Sequence, residues 1–251
     1  MEGIVCACGA SALELYRSSK RLIPTLLDKP RTGKVAGLMV PPRQFLEDDM
    51  TARGVTKQPY HVLVDGNHGY NPRRDIHAVA CYHPLPPRSL IKIDKGFWVT
   101  SPELTFIQIC ADEDLSDFDI ICLGYELCGT YVLDDSWDGL TCIDEPLTST
   151  EKIGRLINSI HRVPGIKRAR NLIKHVHDLS NSPMETILAI LVSLPTTKGG
   201  LGLGPISLNH PVATPVGQRR VDIGFPRQRV GLEYQGKEFH SIEAAGRDAR
   251  R

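Results

Sequence analysis

The sequence has no apolar run approaching the roughly 18 residues that a membrane-spanning helix requires. Its first residues, Met1 to Cys6, lack the basic start and the long apolar stretch of a secretory signal. Internal repeats and low-complexity tails are absent as well. These absences argue against the membrane, secreted and repeat classes of protein. We therefore expect a cytoplasmic protein with no membrane partner.

A regular cysteine framework is also missing. The chain has seven cysteines, an odd number, at irregular spacings, which argues against a set of structural disulfides. Cys6 and Cys8 are too close together for the usual zinc knuckle, and Cys122 and Cys128 are farther apart than its common spacing. The cysteines are therefore expected to be free thiols, mostly buried.

Charge is close to balanced overall but is unevenly distributed. With 41% hydrophobic and 24% charged residues, the 251-residue chain has the composition of a globular protein of one large or two small domains. Residues 1–150 contain 14 Lys and Arg against 21 Asp and Glu, whereas residues 151–251 contain 16 against 8. A basic half suggests a polyanionic partner, although ordinary variation of surface charge explains the same asymmetry.

The patterns of hydrophobic residues and turn formers predict an α+β protein. Region 1–148 is expected to mix strands and helices, and region 149–251 to begin with helices and end in a hairpin. The predicted helices cover about 10–20, 102–111, 117–127, 152–160 and 166–179, and a last one opens in the segment 181–185 and runs to about 194. Ser or Thr at 100–101 and the segment 149–151 are predicted to cap the second and fourth of them. The strands predicted before the C-terminal hairpin are 61–64, 76–81, 90–93, 96–99 and 206–208. The glycine-rich stretch 199–205 lacks the pattern of a phosphate-binding loop, so a small-molecule ligand is not expected.

Two alternating segments near the C-terminus predict an antiparallel hairpin of residues 219–225 with 229–236. If Phe225 pairs with Val230, Asp222 faces Glu233 across the ladder. Two carboxylates in that position, with Cβ atoms about 5 Å apart, repel each other. The sequence tolerates this if both groups are well solvated, or if a cation such as Mg²⁺ lies between them.

The same segment resembles a known family. Asp222 followed by Glu233-Tyr234-Gln235 is similar to the PD-(D/E)XK nuclease signature, and the string VDIGFPRQRVGLEYQGKEFH resembles the very-short-patch mismatch-repair endonucleases. The segment around Glu185 matches the Glu-bearing helix of that family, and Asp248 and Arg251 match the start of a later helix. The N-terminal segment Val99-Thr100-Ser101-Pro102-Glu103 resembles bacterial proteins related to abortive-infection antitoxins.

The resemblance implies a restriction-endonuclease-like core and a Mg²⁺- or Mn²⁺-dependent endonuclease acting on DNA. Asp222 and Glu233 would bind the metal, with the Tyr234 carbonyl as a further oxygen ligand. Glu185 would orient water or hold a second ion. The metal would lower the pKa of bound water and screen charge on the scissile phosphate.

Several positions depart from the family pattern or keep a plain structural explanation. Gln235 stands where these enzymes often carry Lys or Asp, and Lys237 is expected to supply the missing positive charge. His240 matches the family histidine. Asp222 with Glu233 can be solvated surface charges, Glu185 can simply complement a helix dipole, and Lys237 and His240 can be surface residues.

Four cations of the predicted basic helix, Lys167, Arg168, Arg170 and Lys174, are candidates for contacting DNA phosphates, although charged helices are usually just solvated. The family fold continues past the hairpin with a helix and a further strand. A C-terminal truncation is therefore expected, with the 230–235 strand lacking a neighbour on one edge and nuclease activity weakened.

Three functions remain open at this point. The first is a metal-dependent endonuclease. The second is a regulatory or antitoxin-like protein that binds nucleic acid without cleaving it, and the third is an inactive remnant. The first predicts metal binding that depends on Asp222, and the second predicts salt-sensitive DNA binding that is indifferent to metal.

Overall fold

The fold is described from a computed structural model that covers residues 3–19, 23–67, 72–135, 139–215 and 217–235. The α-helices are α1 (Gly9–Ser19), α2 (Ile23–Leu27), α3 (Arg43–Thr51), α4 (Pro102–Ile109), α5 (Asp117–Cys128), α6 (Thr150–Ser159), α7 (Ile166–Leu172) and α8 (Pro183–Ser193). The strands are β1 (Val5–Ala7), β2 (Arg31–Thr32), β3 (Tyr60–Asp65), β4 (Ile76–Cys81), β5 (Leu90–Lys92), β6 (Phe97–Thr100), β7 (Tyr131–Leu133), β8 (Leu140–Cys142), β9 (Ser207–Thr214), β10 (Gly217–Phe225) and β11 (Val230–Leu232).

The largest sheet has six strands in the order β2-β5-β6-β1-β3-β4. It is mixed, because β1 pairs parallel to β6 and antiparallel to β3, and β3 pairs parallel to β4. Helix α1 packs against β3 and β6, and the Tyr16 hydroxyl donates to the Thr100 carbonyl at 2.6 Å in the buried interface. The observed combination of helices with a mixed sheet confirms the predicted α+β class.

Local capping chemistry fixes the starts of the central helices. Ser101, Ser149 and Ser182 are the N-cap residues of α4, α6 and α8, and each serine hydroxyl accepts a hydrogen bond from the backbone N–H three residues later. Proline at the first turn of α4 and α8 is compatible with a helix start, because the N–H it removes has no intrahelical partner. The predicted helix starts at these caps are confirmed.

The helices that follow residue 148 share a core with those before it. Helices α6 and α7 pack on α4, and α8 packs on α5. Gly165, the residue before α7, has a φ of 81°, and a Cβ at this position would lie 2.3 Å from the Ile107 carbonyl oxygen. Glycine therefore permits α7 to start directly against the end of α4.

A separate antiparallel sheet has the order β11-β10-β9. The predicted hairpin and its register are confirmed, since Phe225 pairs with Val230 and Ile223 with Leu232. Ile223 and Phe225 are buried, and α8 packs against β10. This small sheet carries the residues on which the sequence-based functional prediction depends.

Three details of the predicted C-terminal region are wrong. The apolar side chains of the β11 strand, Val230, Leu232 and Tyr234, were expected to face the core, but Val230 and Tyr234 are 51% and 41% exposed. The basic helix ends at Leu172 rather than Leu179, and Lys174 lies in a following 3-10 turn. Strand β9 runs on to Thr214 through Pro211, which is tolerated because β9 lies at the edge of its sheet.

The cysteines are all free, as predicted, and four of them are buried: Cys6, Cys8, Cys110 and Cys128. Burial raises the pKa of the Cys110 thiol to about 12, which keeps it protonated and unreactive. Among the described helices, none is long and apolar enough to cross a membrane.

Candidate functional site

The acidic hairpin brings Asp222 beside the chain that leaves β11. Strand β11 ends at Leu232, so Glu233 follows the strand directly, at the next position of the ladder opposite Asp222. The backbone N–H of Tyr234 donates to Asp222 Oδ2 at 2.7 Å. The Asp222 carboxylate therefore holds the segment after β11 against β10 with a charge-assisted hydrogen bond.

An irregularity in β9 lies on the other side of Asp222. Leu208 pairs with Ile223 and His210 with Val221, which leaves Asn209 opposite Asp222 between two regular pairs. Asn209 has a φ of 48°, in the left-handed region that asparagine tolerates better than most residues. The regular pairing of β10 is therefore interrupted at Asp222 on the side of β9, and on the other side β11 ends just before this level.

Glycine at position 224 is required by the packing around this interruption. A Cβ at Gly224 would lie 2.5 Å from the Cβ of His210, closer than real side chains approach. The His210 side chain therefore occupies the space that a side chain at position 224 would need. The hairpin sequence thus accommodates a close approach of β9 two residues from Asp222.

Glu185 is fixed at the first turn of α8. Its backbone N–H donates to Ser182 Oγ at 3.2 Å, and its own carboxylate accepts from the Ser182 hydroxyl and from the Asn181 backbone N–H, both at 3.1 Å. These bonds engage both carboxylate oxygens of Glu185 at the start of α8. Glu185 therefore helps to fix the start of α8.

Two asparagines connect the start of α8 to β9 at the level of Asp222. Asn181 Nδ2 donates to Asn209 Oδ1 at 2.7 Å, and Asn209 Nδ2 donates to the carbonyl of Leu179. Asn181 also accepts from the Thr130 hydroxyl at 2.8 Å. These contacts hold Glu185 and Asp222 in neighbouring positions.

The electrostatics of Glu185 reflect that proximity. Burial raises the pKa of the Glu185 carboxyl above its ordinary value, and the negative charges of Asp222 and Glu233 raise it further. Hydrogen bonds from Asn181 and Ser182 act in the opposite direction. Three acidic residues from α8, β10 and the end of β11, all named from the sequence, thus lie within electrostatic reach of one another.

The remaining predicted site residues differ in their surroundings. Tyr234 and Gln235 are exposed directly after Glu233. Lys237, His240, Asp248 and Arg251 lie outside the described residues. Of the four basic residues predicted to contact DNA, Lys167, Arg170 and Lys174 are exposed.

Arg168, the fourth of these residues, is half-buried and engaged within the fold. Its guanidinium donates to Asp117 Oδ1 at 2.8 Å and to the carbonyls of Asp112 and Leu115 at 2.8 and 2.6 Å. These bonds secure α7 to the loop before α5. Three of the five N–H groups of the guanidinium are engaged on these partners, so Arg168 stabilises this junction of the fold.

The carboxylates of the site have the chemistry that a hard cation prefers, but their geometry limits how many of them can bind one ion. Carboxylate oxygens are the ligands that Mg²⁺ prefers, and it is commonly held by one or two carboxylates while keeping several waters. Within the ranges that the structure describes, no three His, Cys, Asp or Glu side chains converge closely enough to hold an ion together. The residues present therefore fit a two-carboxylate ion, with Asp222 and Glu233 as ligands, and not a cage of three.

Sequence reasoning did not single out Asn209, which links the two halves of the site. Its one sequence signal is weak, because asparagine is depleted in strands and its presence in one indicates an irregular position.

Comparison of the chain with protein-family models, curated proteins and solved structures finds no match in any of the three.

Proposed function

We propose that the chain is a divalent-metal-dependent nuclease that hydrolyses DNA phosphodiester bonds, with its centre at Asp222, Glu233 and Glu185. The observation that carries the proposal is that these three acidic residues, from separate elements, lie within electrostatic reach of one another. Like charges brought together destabilise a fold, and a bound cation would relieve the repulsion between them.

The order of elements supports the same proposal. Helix α8 carries Glu185, β10 carries Asp222 on the middle strand of an antiparallel sheet, and Glu233 follows the edge strand. The resemblance to the PD-(D/E)XK nucleases implies this order of a helix-borne Glu, an Asp strand and a Glu strand. We therefore propose α8 with β9, β10 and β11 as part of a restriction-endonuclease-like core.

In this proposal Asp222 and Glu233 hold the ion through one carboxylate each. A bound divalent cation would supply Lewis acidity at the scissile phosphate. Asp222 also accepts from the Tyr234 N–H, which orients its carboxylate and leaves Oδ1 for the ion. Glu185, whose raised pKa places it nearer to neutral pH, is suited to exchanging a proton with a water molecule.

Nicking of supercoiled plasmid DNA with Mg²⁺ or Mn²⁺ tests the proposal. We expect metal-dependent nicking that falls by about a hundredfold or more in Asp222→Asn and in Glu233→Gln. A lost ion contact removes several kcal/mol of transition-state stabilisation, and each 1.36 kcal/mol is a factor of ten. Glu151→Gln, at an exposed position on α6, is the matched control and should keep the wild-type rate.

Isothermal titration with Mn²⁺ separates binding from catalysis. Wild-type protein should bind the ion, and Asp222→Asn should not. Equal Mn²⁺ binding by the wild type and both variants, or equal nicking by all of them, would rule out this site.

A second candidate is a protein that binds nucleic acid without hydrolysing it. The observation that favours it is the engagement of both Glu185 carboxylate oxygens by Asn181 and Ser182, together with the Asp222 bond to Tyr234. Both carboxylates then stabilise the fold. This candidate predicts salt-sensitive DNA binding that is unchanged by Mg²⁺ and by Glu233→Gln.

A further inference from the structure

Strands β9 and β10 continue well beyond the rest of their sheet as a two-stranded ribbon. Strand β11 pairs with β10 only from Ile223 to Phe225, whereas β9 pairs with β10 as far as Thr214 and Gly217. We call residues 210–214 and 217–221 the arginine ribbon. Within the described part of the chain, no third strand pairs with it.

The arginine ribbon contributes nothing to the core. Pro211, Val212 and Ala213 are exposed, as are all residues from Gly217 to Arg220. Buried side chains begin below it, at Leu208, Ile223 and Phe225. A two-stranded ribbon without a packed face is marginally stable in water. Packing within the chain therefore stabilises the ribbon little. Its length beyond the sheet points to contact with another molecule.

The charge of the ribbon indicates what that molecule is. The 36 residues from Thr186 to Val221 contain no Asp or Glu, and the ribbon carries Arg219 and Arg220. The two arginines are consecutive on one strand, so their side chains project from opposite faces. Neither guanidinium forms an ion pair or hydrogen bond with another described residue, and both residues are exposed. Two exposed arginines on opposite faces suit an anion that lies on both sides of the ribbon.

Its dimensions match a groove of duplex DNA. Five residue pairs at about 3.4 Å each make a ribbon about 17 Å long, and two strands lie about 4.8 Å apart. The major groove is about 12 Å wide and admits a two-stranded ribbon, with phosphates along both walls. Asp222 follows Val221 directly, so the acidic residues lie at the base of the ribbon, where a backbone would cross.

Resting on the proposed nuclease function, we infer that the arginine ribbon enters a groove of duplex DNA, with Arg219 and Arg220 contacting phosphates on its two sides. Pro211 disfavours a strand of another protein as the occupant. It lies opposite Arg220 in β9 and lacks the N–H that further strand pairing at an edge would use.

The test measures binding without cleavage. Arg219→Gln/Arg220→Gln and the wild type are titrated against a fluorescent 20-base-pair duplex in EDTA at several KCl concentrations, by anisotropy. Each lost phosphate contact lowers the slope of log K against log salt by about 0.9, so the double variant should lose about 1.8. Lys152→Gln/Arg155→Gln, an equally exposed pair on α6, is the matched control and should keep the wild-type slope. Equal unfolding midpoints of the three proteins show that the fold is intact.

Single-stranded DNA of the same length distinguishes groove entry from general attraction. The double variant should lose more affinity for the duplex than for the single strand. An unchanged duplex slope, equal losses on both nucleic acids, or a change in oligomeric state in place of DNA binding would overturn the ribbon's role.

The two proposals fail separately. An unchanged salt slope with intact metal-dependent nicking would overturn the proposed DNA contact of the ribbon and support the proposed nuclease function. A lowered salt slope in a protein that does not nick DNA would support the DNA contact of the ribbon and overturn the nuclease function.

Discussion

At the scale of single residues, a buried ion pair connects α1 to α5. The guanidinium of Arg17 donates to both Glu126 carboxylate oxygens, at 2.8 and 2.6 Å, and the Leu133 N–H donates to the same carboxylate at 3.0 Å. The side chain of Glu126 is only 2% exposed. A carboxylate in such surroundings is tolerated because its oxygens are satisfied.

Removing the cation should therefore destabilise the fold strongly. We expect Arg17→Ala to lower the free energy of unfolding by about 3 kcal/mol, since an unpaired buried charge remains. Arg155→Ala breaks an exposed ion pair with Glu151 on one face of α6. This substitution should change the free energy of unfolding by less than about 0.5 kcal/mol. Urea unfolding measures both. Equal effects of the two substitutions would mean that the Glu126 carboxylate is not held as a buried charge.

Residues of the candidate site differ in how far the sequence could predict them. Asp222 and Glu233 follow from alternation, because a period of two and a short turn fix which positions face each other. The anchoring role of Arg168 does not follow, since its partner Asp117 lies 51 residues away along the chain. The contact between Asn181 and Asn209 was beyond prediction for the same reason: local patterns carry no information about it.

At the scale of elements, local chemistry again separates what was predictable from what was not. Helix starts at Ser101, Ser149 and Ser182 were predictable because the capping residue and the N–H that it binds lie three positions apart. Strands β1, β7 and β8 were not predicted. Each has three residues, too few for a period to appear, and β1 is fixed by partners at 62 and 97–99.

Strands β3 and β4 carry a pair of stacked histidines that links stability to pH. His61 pairs with His77, and their ring centroids are 4.6 Å apart. Burial lowers the pKa of His61 below its ordinary value, the facing His77 lowers it further, and Asp112 opposes the shift. The folded state therefore favours neutral His61.

The sign of the resulting pH dependence follows from that lowered pKa. Stability from neutral His61 is present above the unfolded pKa of about 6.5 and is lost as the pH falls through the lower folded pKa. Between pH 7 and pH 5, the free energy of unfolding should fall more in the wild type than in His61→Asn. His161→Asn, at an exposed loop position, should keep the wild-type profile. Parallel profiles for wild type and His61→Asn in denaturant titrations would contradict the assignment.

At the scale of the whole molecule, one core extends across residue 148, where the sequence predicts a boundary between two regions. Ile153, Ile157 and Leu172, from α6 and α7, belong to the same buried cluster as Phe106 and Ile107 of α4. Without the helices after residue 148, the faces of α4 and α5 that they cover would be exposed to water.

A shared core predicts cooperative unfolding of the chain. Calorimetry should give a single transition with equal calorimetric and van't Hoff enthalpies. A fragment ending at Thr148 should lack a cooperative transition, because it loses the covering helices. Two resolved transitions in the full chain, or a sharp one in the fragment, would establish the boundary as a division between independent folding units.

The central position of β1 in the large sheet has a consequence for the order of folding during synthesis. β1 is synthesised about 90 residues before its parallel partner β6. The pairing of β1 with its earlier partner β3 has a single registered residue pair among the described residues, Ala7 with Val62. Such long-range pairing slows folding and leaves strand edges open for longer. The nascent chain should thus depend on chaperones until β6 has been synthesised, and slower translation between β3 and β6 would prolong that dependence.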